Sequence, residues 1–416
     1  MRFTLRNAHL VDAARDISRG EIVIDGARIQ SVAHSDDMGK AAEDLSEQGG
    51  QDGGEIAIDA DGMIVMPGFI DVHTHGGGGF NLHTTDAGEI RSYANWSPST
   101  GVTSFLIAVV GVPGAMPEEQ LKAAVEAMEA RGDGVKGAEP LGIHLEGPYI
   151  SAARRGAHPT SWLRIPDEAE TERLLATANG YLRLMTLAPE LPGGLAMITR
   201  LVEAGVTVSM GHTDATYEQA QEAIRLGVTH VTHCYNAMRP LLHREPGPLA
   251  ALAQATGVFG ELIADGVHVH PAAADALVKL LGPERTIVIT DALAGAGLSD
   301  VAFEFAGQPA RVIRGAARLI DGTITGSVLT MDQALRNVLQ MTSVTLPQAV
   351  GMLSLNPART LGVAHRKGCL QAGYDADVLI FDQSLALQAT ICRGNVAFAT
   401  DAWRERLLPI STLYAV

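Results

Sequence analysis

Between residues 69 and 341, short apolar runs rich in β-branched residues alternate eight times with stretches of helical period. The runs fall at 69–73, 103–108, 141–145, 182–187, 206–210, 228–232, 259–264 and 287–290. Strands that are apolar on both faces must be covered on both faces, which is what a parallel sheet with a helix after each strand provides. Helical periodicity is expected over 118–130, 167–178, 194–204, 217–226, 249–255 and 271–281, and again over 330–341 after the last run. Eight such units predict an α/β fold, a (β/α)8 TIM barrel.

The flanks read differently. Residues 4–10, 20–24 and 28–33 alternate like short strands, with the turn Asp25-Gly26 between the last two, and 56–65 returns to strand. Residues 35–55 are acidic and Gly-rich with almost no aromatic or β-branched residues, so they read as a surface insertion without chemistry. After further helical turns near 346–353 and 357–361, residues 367–382 show strand and turn only. The two ends are expected to pair as a small discontinuous β-sandwich domain, 1–65 with 366–416, beside a catalytic barrel domain of 66–365.

Composition excludes several classes. The longest apolar run, 105–110, is far shorter than the roughly 20 residues of a membrane helix, so no membrane partner is expected. The first residues lack the apolar core of a secretory signal, and Cys234, Cys369 and Cys392 are too few and too scattered for a disulfide framework. Both point to the cytoplasm. A net charge of -16 argues against nucleic acid, which needs a basic stripe, so an anionic substrate would require a local positive pocket.

The chemistry is placed by what stands at the strand ends. The first strand runs into His73-Thr74-His75 and four glycines, and side chains two apart on a strand share a face. Later strands end in His144-Leu145-Glu146-Gly147-Pro148, Gly211-His212-Thr213, Thr232-His233-Cys234 and Thr290-Asp291-Ala292. These are the carboxyl ends, the rim on which barrel active sites are built. Imidazole and carboxylate suit zinc and other borderline divalent ions, and zinc lowers the pKa of bound water to about 7. Asp291 is the candidate general base. His144, two before Glu146, is expected to support it; His230 should point away from the site, as should Cys234, the immediate neighbour of His233.

These motifs, together with Gly156-Ala157-His158-Pro159, Ala188-Pro189-Glu190, Asn236-Ala237, Arg244-Glu245-Pro246-Gly247, Asp265-Gly266-Val267-His268 and Thr325-Gly326-Ser327, resemble the amidohydrolase superfamily, and within it the branch that deacetylates N-acetylglucosamine 6-phosphate. The resemblance runs from about residue 56 to 382. It implies Glu146, His212 and His233 as principal metal ligands, with Glu146 standing where many relatives use a carboxylated lysine. It further implies a second ion held by His73 and His75, bridged through Glu146 and near Asp291. One or two divalent ions are expected, zinc first, with iron, manganese or cobalt as alternatives. Ala157 and His158 would meet the acetyl group or a neighbouring hydroxyl, Asn236, Ala237, Arg244 and His268 the sugar phosphate, and Ile324, Thr325, Gly326 and Ser327 the rim of the substrate. The expected reaction is attack of metal-activated hydroxide on the acetamide, with Asp291 moving the proton, in a homodimer. The rivals are an N-acyl amino acid or cyclic-amide hydrolase on the same scaffold, and a non-catalytic scaffold protein. Cys234 departs from the bulky apolar residue expected at its position, which could loosen packing beside His233 or expose a thiol to metal.

Overall fold

Eight parallel strands, each hydrogen-bonded to its neighbour in chain order, run Phe69–Asp71, Val102–Val110, Glu139–Glu146, Leu182–Leu187, Thr207–Met210, Val228–Val231, Phe259–Ile263 and Thr286–Ile289. They belong to a computed structural model that describes residues 1–34, 56–130, 137–299, 301–305, 307–313 and 315–411. The insertion expected at 35–55 lies outside the described residues. Every barrel strand expected from the sequence is present, and the arrangement is the (β/α)8 barrel. The second strand is buried at all of its positions, as a strand covered on both faces must be.

The covering helices start and stop on local signals. Tyr217–Arg225 opens on a capping box in which Thr216 accepts from Gln219 N and the Gln219 side chain reciprocates. Pro271–Leu281 begins on proline, which gives up only an amide that would be unpaired there, and ends at Gly282 with φ 80°. Glu118–Glu129, Glu168–Thr177, Gly194–Glu203, Gly247–Gln254 and Met331–Met341 complete the expected set, and Ala87–Trp96, capped by Asp86, adds a helix the periodicity did not signal.

The seam between the first and eighth strands is crossed by the residues of the rim. Thr290 Oγ1 donates to Asp71 Oδ2 at 2.6 Å, Asp291 N to the His73 carbonyl at 2.8 Å, and His75 N to the Ala292 carbonyl at 2.8 Å. Closing the barrel therefore fixes His73, His75 and Asp291 relative to one another.

Both ends of the chain meet in a second sheet, ordered Asn395–Ala399, Leu387–Cys392, Val378–Phe381, Ile64–Pro67, Arg2–Asp12, Arg15–Asp25, Arg28–His34. Ile64–Pro67 pairs antiparallel with Val378–Phe381 and leads directly into the first barrel strand. The strand expected over 56–65 is two strands, Ile56–Asp59 and Ile64–Pro67, separated by a turn with Asp61 and Gly62 at positive φ. This sheet has its own apolar core, in which Trp403 and Leu407 of the helix Asp401–Ser411 pack with Phe3, Leu5, Ile22 and Ile380. Where sheet and barrel meet, the buried Lys367 ammonium contacts Glu139 at 2.8 Å, Asp375 at 3.0 Å and Asp377 at 2.5 Å, and Arg366 holds Glu139 at 3.0 Å. No helix among the described residues is long and apolar enough to cross a membrane.

A further element lies between the eighth strand and Met331–Met341: Ala302–Phe305, Gln308–Ile313 and Ala316–Leu319 form a three-stranded antiparallel sheet over the mouth of the barrel. Its turns at Gly307 and Gly315 sit at φ 71° and 76°, a backbone that glycine adopts without strain.

Candidate active site

Glu146 is the last residue of the third barrel strand, and His212, His233 and Asp291 each stand two residues beyond their strands. Those three residues have φ of 46°, 25° and 50°. Non-glycine residues at positive φ are uncommon and cluster at functional sites, because the surrounding structure must hold them there. Here the bend turns each side chain in toward the barrel axis.

The donor atoms converge. His212 Nε2 lies 3.0 Å from Glu146 Oε1 and 3.0 Å from His233 Nε2, which is itself 3.2 Å from Glu146 Oε1. Burial pushes His212 down to about 4, so its ring is neutral at pH 7 and carries one proton. That proton sits on Nδ1, which donates to the Arg154 carbonyl at 2.9 Å, because a carbonyl can only accept. Nε2 thus turns a lone pair toward a carboxylate oxygen, an arrangement that repels unless a cation stands between them.

A second set adjoins the first. His75 Nε2 is 3.3 Å from Asp291 Oδ1 and 3.3 Å from Glu146 Oε2. His73 Nε2 is buried without a hydrogen-bond partner, 3.4 Å from Glu146 Oε1 and 3.5 Å from Asp291 Oδ1. Burial opposes a charge on His73, yet Glu261, Glu146 and Asp291 outweigh it and raise its pKa well above the ordinary value. For Glu146 and Asp291 burial is likewise outweighed, by the facing histidines, and both are held below the usual carboxylate range. Three buried carboxylates around these rings leave negative charge that a cation relieves. One ligand atom each from His73, His75 and Asp291 lie within 4.8 Å of one another, as do atoms from Glu146, His158 and His212. The donor set, its lone pairs and its charge fit a divalent metal centre.

Glu261, in the seventh strand, was not singled out by the sequence and carries the next layer. Its fully buried carboxylate accepts from His73 Nδ1 at 3.0 Å, from the His233 backbone amide at 2.9 Å and from His230 Nε2 at 2.9 Å. By holding a proton on His73 Nδ1 it leaves Nε2 as the ligand atom once a cation displaces the proton there. His230 does not line the cavity, but it does not turn away from the site as expected: it meets Glu261 and so stands one hydrogen bond behind His73. His144 also stands behind the site, packing edge-on to His73 at 4.5 Å between ring centroids and reaching Thr186 at 2.8 Å.

Above the donors lies a cavity of about 200 Å³. His75, Glu146, His158, His212, His233 and Asp291 form its floor. Asn236, Ala237, Val267 and His268 line one side, Ile324, Thr325 and Gly326 its rim, and Gly156, Ala157 and Phe305 complete it. Asp265 Oδ2 meets His268 Nδ1 at 2.7 Å and, against burial, raises the pKa of that ring. Two of the expected residues do not line the cavity. Ser327 is buried beneath the cavity, its amide donating to the Asp291 carbonyl at 2.7 Å and its hydroxyl to the Thr290 carbonyl at 2.5 Å, so it braces Asp291. Arg244 is exposed outside the cavity, with its guanidinium 2.7 Å from His243, while the loop it stands on is tied back through Arg239 to Asp214 at 2.9 Å. Cys234 is fully buried in the apolar core and absent from the cavity wall; burial pushes its thiol well up.

A parallel barrel with histidine and carboxylate donors gathered on its carboxyl rim defines a hydrolase of the amidohydrolase type, and the chain belongs to the amidohydrolase family, which it matches over residues 64–401. Its relatives narrow the class. It is 38% identical over 344 residues to the N-acetylglucosamine-6-phosphate deacetylase of Bacillus subtilis, covering 83% of this chain and 87% of that protein. It is 37% identical over 337 residues to the N-acetylgalactosamine-6-phosphate deacetylase of Escherichia coli O157:H7, covering 81% of this chain and 88% of that protein. The crystal structure of N-acetyl-D-glucosamine-6-phosphate deacetylase from Mycobacterium smegmatis is similar at a TM-score of 0.83 and 34% identity, over 95% of this chain and 100% of that one.

Proposed function

We propose that this protein hydrolyses the acetamide of N-acetyl-D-glucosamine 6-phosphate to D-glucosamine 6-phosphate and acetate, in amino-sugar catabolism, with one or two divalent ions, zinc first, held by Glu146, His212, His233, His73, His75 and Asp291. The observation that carries the reading is the pairing of converging lone pairs on the cavity floor with a cation-prone His268 on its wall.

Bound there, the ion supplies Lewis-acid polarisation of the carbonyl and acidifies water. Asp291 takes the proton of the attacking water on its carboxylate and passes it to the departing amine. It is suited to this because it stays ionised yet opens on the cavity, and because Ser327 and His73 hold its backbone. His158, whose Nε2 is 3.4 Å from Glu146 Oε2, donates to the carbonyl oxygen as negative charge develops on it. Ala157 packs beside it. The backbone of Asn236 and Ala237, with His268, receives the phosphate, and Ile324, Thr325 and Gly326 border the sugar.

We assign Arg244 to the phosphate of a second protomer in a homodimer. Its exposure, and that of its neighbours Leu241 (48%) and Leu242 (50%), supports an interface on this loop. Three cysteines, too few and too scattered for a disulfide framework, suit a reducing cytoplasm. Residues 1–65 with 366–416 are taken as a separate folding unit beside the barrel of 66–365, a division supported by the independent apolar core of the terminal sheet.

The test is release of acetate from N-acetylglucosamine and N-acetylgalactosamine, each with and without the 6-phosphate, by protein of measured metal content. Most of kcat/KM should vanish without the phosphate. Equal rates on phosphorylated and free sugars would instead favour another amidohydrolase activity, and the two epimers decide between the substrates of the two named relatives.

A further inference from the structure

A second cavity, about 330 Å³, lies directly behind the first. The two share two wall residues, His75 and Phe305. Phe305 is 7% exposed and packs edge-on to the His75 ring, 5.4 Å between centroids. It comes from the three-stranded sheet over the barrel mouth, where it pairs in register with Gln308, and Gln308 Nε2 donates to the Ala157 carbonyl at 3.2 Å. The end of this hairpin therefore touches the catalytic cavity twice: one residue ties down the Ala157 loop, and the other closes a wall.

The direction of the bound substrate follows from the order of strands. Asn236, Ala237 and His268 follow the sixth and seventh strands, whereas His75, itself the donor that packs against Phe305, follows the first. If the sugar phosphate occupies the first side, the amide carbon lies over the donors and its acyl group points at His75 and Phe305. Beyond Phe305 the second cavity is lined by Val112, Pro113 and Trp162, surfaces that accept hydrocarbon, alongside the polar Asn81, Gln120 and Glu304.

We propose that Phe305 sets the acyl-chain limit of the enzyme: its ring ends the space available to an acetyl methyl and shuts off a chamber that longer acyl chains would enter. The proposal rests on the deacetylase reading and adds the specificity-determining residue.

The experiment measures glucosamine 6-phosphate released from its N-acetyl, N-propionyl and N-butyryl derivatives by the metal-loaded full chain. Wild type should lose rate steeply with chain length. Phe305→Ala should raise the butyryl-to-acetyl ratio of kcat/KM by at least about tenfold, since one methylene in a fitted apolar pocket is worth roughly 10–200-fold. Phe305→Leu, a milder change, should raise the propionyl-to-acetyl ratio, and this variant decides the matter if the alanine variant does not fold. Adding Val112→Trp to Phe305→Ala should reverse the gain by filling the chamber, while Val112→Trp alone leaves acetyl turnover unchanged. Ratios that stay at the wild-type value in both Phe305 variants, with acetyl turnover present, overturn the proposal alone. A wild-type enzyme that releases no amine from any of the three overturns the substrate reading and the proposal together.

Discussion

Replacing Glu261 by glutamine tests whether a residue that never reaches the cavity tunes the metal centre. Glutamine preserves shape but offers one acceptor oxygen and one amide nitrogen. That oxygen should turn to the side with two donors, His73 Nδ1 at 3.0 Å and the His233 amide at 2.9 Å, leaving the nitrogen against His230. His73 then keeps its tautomer and loses only the negative charge behind it. Hydrogen bonds to charged groups contribute about 1.5–3 kcal/mol against about 0.5–1.5 kcal/mol for neutral ones, so two weakened bonds amount to roughly 2–3 kcal/mol. In metal affinity that is about 30–150-fold, overlapping the 10–100-fold typical of residues that orient a metal ligand. Chelator competition with zinc, checked by elemental analysis of bound metal, reads it directly. Because the carboxylate also favours a proton on His73, the deficit should widen as pH rises and the proton ceases to compete. Unaltered affinity from pH 6 to pH 9 would refute the assignment.

Other outcomes follow from the same geometry. Asp291→Asn should slow turnover by roughly 10²–10⁴-fold, as loss of a general base does, with metal content read alongside it. Arg244→Ala should narrow the preference for the phosphorylated sugar, and mixing it with a catalytically dead Asp291→Asn protomer should restore part of the activity if Arg244 serves its neighbour. Lys367→Met should destabilise the protein by about 3–5 kcal/mol, because it strips the counter-ion from buried acids, and should lower the urea midpoint at pH 7. Glu139, where burial is outweighed by Lys367 and Arg366, sits well below its ordinary 4.5. Its contribution is complete above about pH 4.5 and fades as pH falls toward the depressed value. The urea midpoint of wild type should therefore drop on acidification below pH 4.5, and drop less in the Lys367→Met variant.

The barrel was legible because its signal is periodic: each strand is a short apolar run with a helix behind it, and His73, His75, Glu146, His212, His233 and Asp291 stand where strands end. Glu261 was not legible, since one glutamate in the run 259–264 carries no pattern, and its role arises only when the sixth and seventh strands bring it under His233 and His73. The three-stranded sheet of Ala302–Phe305, Gln308–Ile313 and Ala316–Leu319 was not read from the sequence, because it lies in what periodicity treats as a loop after the eighth strand. Arg244 was placed by likeness to a family, and the pairing of Arg239 with Asp214 determines that its loop stays outside this chain's own cavity.

The terminal sheet has a consequence for how the molecule is made. Ile64–Pro67 emerges from the ribosome early, but its partner Val378–Phe381 follows only after the whole barrel has been synthesised. Until then the N-terminal ladder keeps an open edge, the kind of surface that recruits strands from other nascent chains. Premature termination anywhere before residue 378 would leave that edge permanently bare, so truncated products should collect in inclusion bodies even when every residue of the catalytic cavity has been translated.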